Sequence, residues 1–236
     1  MINAITKKRE RVFFLAIASF FLVANFVGFG YSLNSRLGNE ESLHFHIYVH
    51  GISAALWIVL YFVQSALATS GNIKLHTIIG KAGSVVILLV LLTGFYVAFM
   101  VPVIYNVDAP YSQPGRDFSA ILLAVVIAFI GLRKRKMPFI HKRLMMTSTL
   151  ILSSAGIARF INALGLSGLG ASGIISMLFL PIILLIIHDY ITYKKFFKVN
   201  FVSIALVFLL FILSAPPFWD NPVFGPILEK IVGWLS

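Results

Sequence analysis

Seven long apolar runs, separated by short segments that hold nearly all the charge, constrain this chain more than any other feature. A helix needs about 20 apolar residues to cross the hydrocarbon core of a bilayer. The runs at 12–33, 45–68, 79–104, 117–133, 144–164, 172–193 and 199–216 meet or approach that length, the fourth being the shortest. Only 11% of the 236 residues are charged and 59% are hydrophobic, whereas soluble domains average about 25% charged. A soluble domain of this size keeps too much surface exposed to hide such runs. The expected fold is therefore all-α. It is a polytopic transmembrane helix bundle of seven spans, forming a single integral membrane domain over residues 1–236. The run 12–33 is too long for a signal-peptide core and lacks a small-residue cleavage site, so it reads as an uncleaved first span.

The formal charge of +11 would suit a nucleic-acid binder only if it formed one surface. Instead it is parcelled out between spans, which excludes nucleic acid as a partner. With the N-terminus inside, fifteen lysines and arginines fall on the inner side: Lys7, Lys8, Arg9, Arg11, Lys74, Lys81, Arg133, Lys134, Arg135, Lys136, Lys142, Arg143, Lys194, Lys195 and Lys198. Three fall outside: Arg36, Arg116 and Lys230. This bias fixes the N-terminus in the cytoplasm and the C-terminus outside. It also predicts contact between the inner basic loops and anionic headgroups of the bilayer. Pro102 should stop or kink the third span and Pro181 should kink the sixth. Segment 105–117 reads as irregular loop and 165–173 as a flexible turn. The stretch 226–235, with Trp234, reads as an interfacial helix.

The chain has no cysteine, so any metal must rest on histidine, carboxylate or neutral oxygen ligands. His46, His50, Ser53, Trp57 and Gln64 share one face of the second span, which should point into the bundle. His46 and His50, four residues apart, have the spacing of a two-histidine metal pair; two interfacial histidines bonded to neighbours would show the same spacing.

Arg159 is the one basic residue placed inside an apolar run and away from its first or last three residues, on a face with His141, Met145, Ser148, Leu152, Ala155 and Asn162. It lies about 27 Å beyond His141 at 1.5 Å per residue, in the outer half. Arg159 and Asn162 would then share a level with His46 and His50, and Arg159 would clamp a carboxylate or haem propionate there. The alternative is an arginine reaching headgroups. At the inner end, His76, His141 and His188, the last beside Asp189, fall at similar depth. They would bind a cofactor if their helices adjoin, or Asp189 would pair with the nearby basic residues. His76, Gly80, Gly83, Ile87, Val90 and Gly94 share a face that admits close approach of a helix or a flat cofactor.

The runs His46-Ile-Tyr-Val-His50, Leu75-His76-Thr-Ile-Ile-Gly80 and His141-Lys-Arg-Leu-Met145, spread over roughly residues 44–160, resemble a group of small bacterial multi-pass membrane proteins of unassigned activity. The pattern also resembles haem-handling and oxidase-assembly membrane proteins. It departs from di-haem cytochromes in carrying its outer histidines on one helix, where they cannot grip opposite faces of one haem. The resemblance implies a place in the bacterial inner membrane.

The resulting expectation is a membrane redox protein that holds haem b or a divalent metal through histidines and serves a membrane redox partner. Only His76, His141 and His188 could supply haem ligands from two helices. Other classes stay open: a transporter or channel for an anionic or lipid-like substrate, a metal-dependent intramembrane hydrolase, or a non-catalytic assembly factor. Proton- and cation-coupled carriers place an acid inside a span, and none stands at mid-depth here.

Overall fold

The computed structural model describes residues 4–38, 44–100, 112–219 and 223–235. Every regular element among them is helical. In chain order these are α1 (Ala4–Gly38), α2 (Phe45–Ser70), α3 (Ile73–Phe95, extended by a π-turn Tyr96–Met100), α4 (Ser112–Arg133), α5 (Pro138–Leu152) and α6 (Ser154–Ala163). They continue with α7 (Gly170–Tyr193), α8 (Lys198–Ser214), α9 (Pro216–Trp219) and α10 (Phe224–Leu235). Four helical segments are long and apolar enough to cross a membrane: Lys8–Gly38, Phe45–Ser70, Ile73–Met100 and Ser167–Tyr193. The bent pair α5–α6 makes a fifth if it is one span.

The local sequence accounts for the main boundaries. The α2–α3 turn is two residues long. Gly71 adopts φ 82°, a left-handed conformation that glycine takes without a Cβ clash, and its N–H donates to Ala68 O. Asn72 then caps α3 by accepting from Leu75 N at 3.1 Å. Pro138 occupies the first turn of α5, where its missing N–H costs nothing. The helices extend beyond the apolar runs at several ends. α5 begins six residues before 144, which places Lys142 and Arg143, like His141, in the helix.

One expectation about irregular backbone is corrected. Pro181 lies inside one continuous helix, α7, and a break of 56° separates α5 from α6 at Ser153. α4 starts at Ser112, five residues before the expected span. Pro102 and most of the expected 105–117 loop lie outside the described residues. In the 165–173 turn, a short 3₁₀ segment, Ser167–Leu169, is flanked by Gly165 (φ 72°) and Gly170 (φ 51°).

α5 is the hub. From Arg143 to Ile151 all but one of its residues are buried. It bonds outward in several directions. Thr147 Oγ1 donates to Ser203 Oγ of α8 at 2.7 Å, and Ser148 Oγ to Ala124 O of α4 at 2.8 Å. Trp57 Nε1 of α2 donates to Thr149 Oγ1 at 3.2 Å. At the bend, Asn25 Nδ2 of α1 donates to Ser153 Oγ at 2.9 Å. In an apolar surrounding such interhelical hydrogen bonds hold helices that have no hydrophobic reason to prefer each other over lipid. Phe21, Leu150, Ile182 and Val207 fill the space between them. Outward-facing positions stay apolar, as at Ile52, Val85, Leu92, Ile191 and Phe208. Lipid is the solvent that suits such a surface.

The contacts sort the helix ends into two levels. Glu10, His76, Gly131, His141, Asp189 and Asn200 meet at one end. His50, Thr93, Gly94 and Ile121 meet at the other. The first is the end at which the basic segments 133–136 and 194–198 emerge.

Candidate metal centre at the basic end

His76 opens the second turn of α3 and His141 stands four residues into α5. Their rings lie with centroids 6.5 Å apart and planes at 88°. His76 Nδ1 sits 3.2 Å from the main-chain O of Gln64 in α2, and His141 Nδ1 sits 2.8 Å from Gly131 O in α4. A carbonyl oxygen only accepts, so each Nδ1 must carry the proton. A ring held in this way, when it carries no second proton, has its lone pair on Nε2. This carbonyl–histidine arrangement is the one that orients imidazoles towards metals in proteins. Two imidazoles on one metal ion set their ring centres about 5–6.5 Å apart, because each metal–nitrogen bond is about 2.0–2.1 Å long.

His188, the third inner histidine, goes elsewhere. Its ring stacks on Phe13 at 4.5 Å, and its Nδ1 lies 3.4 Å from Asp189 Oδ1. Asp189 is fully buried and belongs to an ion network around Arg143, itself wholly buried. Arg143 donates from Nη2 to Asp189 Oδ1 at 2.5 Å and from Nε to Asp189 Oδ2 at 3.2 Å. Its Nη1 reaches Glu10 Oε1 at 3.3 Å and Phe139 O at 3.0 Å. The guanidinium also covers the Phe139 ring at 3.4 Å. Lys142 pairs with Glu10 at 2.5 Å, and Asn200 Nδ2 donates to Asp189 Oδ2 at 2.7 Å. The two cations and two carboxylates balance, and the forked pairing satisfies the planar guanidinium. The network thus clamps α1, α5, α7 and α8 at one end.

Sequence reasoning missed Arg143, which it counted among the cations of the inner segments, and Glu10, to which it gave no role. The usable signals were Pro138, which starts the helix early, and Glu10, the lone acid in a basic run. Asp189 pairs with the basic cluster, one of the two alternatives the sequence left open.

The outer residues do not converge in the same manner. His50 Nδ1 lies 3.1 Å from Thr93 Oγ1, while the His46 ring rests 4.7 Å from that of Tyr96. Arg159 is half-buried; it donates to Ala155 O at 3.0 Å, one turn earlier on its own helix, and covers Phe29 at 4.7 Å. Asn162 is exposed.

Among the described residues, no three or more histidines, aspartates or glutamates gather closely enough to hold a metal ion. A metal at His76 and His141 would therefore take its remaining ligands from a macrocycle, from water or from a neutral side chain. No family model matches the chain, and neither a curated protein nor a solved structure matches it.

Proposed function

We propose that this chain is a seven-span bacterial inner-membrane protein that holds a redox-active metal centre, haem b iron or a divalent ion, between His76 and His141. The observation that carries the reading is the pair itself. Two imidazoles from different helices stand 6.5 Å apart, each with Nδ1 held by a main-chain carbonyl. His76 and His141 would hold the iron of a haem, whose macrocycle would supply the other nitrogen ligands and the redox chemistry. Lys74 and Lys81, near the same end of α3, offer cations for its propionates. The centre would pass electrons to and from a membrane redox partner, its potential tuned by burial and by the hydrogen bonds on the two rings.

Seven passes are supported by the alternation of helix ends between two levels, with α5–α6 as one bent span and α4 and α8 as short ones. The basic loops collect at one level, which the positive-inside rule assigns to the cytoplasm, against anionic headgroups. Burial of α5 on all sides explains why its polar residues carry no lipid-facing cost.

The test is an absorption spectrum with metal analysis on one detergent preparation, expressed with full haem supply and purified without a polyhistidine tag. A Soret band or a stoichiometric metal is expected. His76→Ala and His141→Ala lose it, while His46→Ala and His50→Ala, at the opposite end, keep it. A wild-type preparation with neither haem nor metal overturns the reading.

A further inference from the structure

Among the described residues, Gln64 is the one side chain near this pair whose hydrogen-bonding capacity is unused. Both its Oε1 and its Nε2 are sealed from solvent, and neither has a partner. Buried polar groups are nearly always paired, because an unpaired one has given up its hydrogen bonds to water for nothing. An amide without a partner in the chain has both its oxygen and its nitrogen free to bond a group from outside the chain.

Three observations place it at the histidine pair. Its own main-chain carbonyl holds the His76 ring. Its carboxamide oxygen lies against Gly80, where an added Cβ would stand 3.6 Å from it, and Gly80 is one turn along α3 from His76. The third is register. α3 and α5 both leave the end where His76 meets His141, and α2 returns to that end before the two-residue turn, so α2 and α5 are antiparallel. Trp57 of α2 bonds Thr149 of α5. Seven residues onward from Trp57 is Gln64, on the same face of α2; seven residues back from Thr149 is Lys142. Gln64 is thus level with His141.

From this juxtaposition we infer that Gln64 is a third protein ligand of the centre, and that the centre takes a bare divalent transition-metal ion through two imidazoles and one amide oxygen. This deepens the reading given above and rests on it. Neutral nitrogen and oxygen donors suit first-row ions such as iron, cobalt, nickel or copper. Three protein ligands with water in the remaining positions is the pattern of reactive rather than structural sites. The 6.5 Å ring separation fits ligands on opposite sides of an ion better than a tetrahedral arrangement, which brings them to about 5 Å. An ion of expanded coordination is therefore preferred over tetrahedral zinc. The amide Nε2 is left to donate to a metal-bound water or hydroxide.

The experiment titrates the chelator-stripped full chain in detergent with cobalt(II), read by visible absorbance and calorimetry, and separately with haemin. The wild type binds one cobalt(II). Gln64→Leu weakens cobalt binding by about tenfold or more, the loss typical when a group supporting a metal site is removed. Gln64→Glu, which adds charge to the same oxygen donor, strengthens it and shifts the cobalt spectrum. His76→Ala and His141→Ala bind no cobalt. Gln64→Leu with wild-type cobalt affinity, beside histidine variants that fail to bind, overturns the role of Gln64 and leaves the histidine centre standing. Haemin binding that needs both histidines, with no cobalt binding at all, overturns the bare ion and keeps the pair. Histidine variants that bind cobalt and haemin like the wild type overturn both. If Gln64→Leu does not fold, the spectral shift of Gln64→Glu decides, and an unchanged spectrum counts against the proposal.

Discussion

Arg143 shows how far one side chain in this bundle depends on its partners. Its guanidinium is completely enclosed and is shared between Asp189, Glu10 and a main-chain carbonyl. Removing one member of a buried pair leaves the other charge without solvent or counter-ion, at a cost of about 3–5 kcal/mol. Arg143→Ala should therefore lower unfolding stability in detergent by that amount, and Asp189→Ala should behave alike. The double variant Arg143→Met with Asp189→Leu removes both charges and should recover much of the loss, since an apolar pair of similar volume is often neutral. Denaturation curves of the three proteins check this, and an additive double variant would show that the network does not act as a unit. Arg143→Lys should not substitute, because an ammonium cannot fork onto both carboxylate oxygens. Arg159, the arginine that stood out in the sequence, bonds its own helix backbone and covers a phenyl ring. Arg159→Gln should change stability by less than about 1 kcal/mol, in line with a partly exposed group.

Among the elements, the crossing of α1 and α6 is the tightest test of packing. A Cβ at Gly28 would meet Phe160 N at 2.7 Å and Arg159 C at 3.2 Å, both main-chain atoms that cannot swing away. Two residues on, Gly30 has nothing within 4 Å. The two glycines sit in one helix, so helix propensity favours alanine equally at both, by up to about 1 kcal/mol. Gly30→Ala should then leave stability unchanged or slightly higher, while Gly28→Ala lowers it; equal effects on thermal unfolding would refute the close crossing. The bend at Ser153 belongs with this crossing. Asn25 of α1 bonds Ser153 at the break, and α6 then runs onto α1. The proline at 181 was the natural place to expect a bend from sequence. Pro181 stands inside the continuous helix α7, whereas the 56° break at Ser153 falls where Asn25 of α1 bonds in, a contact that sequence does not reveal.

For the whole molecule, the alternation of helix ends and the collection of basic residues at one level make a topological prediction that this cysteine-free chain is suited to test. A single cysteine at Lys134 or Lys195 should react with a membrane-impermeant thiol reagent only from the cytoplasmic side, and one at Ser167 only from the outside. Labelling of Ser167→Cys and Lys134→Cys from the same side would remove a span between them. α10 carries Trp234 almost fully exposed, and its fluorescence should be quenched by brominated lipids if the helix lies in the headgroup layer. The apolar runs and their charged breaks determined a helical bundle with lipid-suited faces, because hydropathy and length are local properties that survive without knowing neighbours. The four-three spacing likewise put Gln64 and Trp57 on one face before any partner was known. Which faces meet is another matter, because pairing depends on helices far apart in the chain and on atoms that spacing does not encode. Only the folded bundle brought His76 to His141 while sending His188 to Phe13 and Asp189, and only the folded bundle enclosed Arg143, since a helix beginning at Pro138 carried it into reach of Glu10 and Asp189.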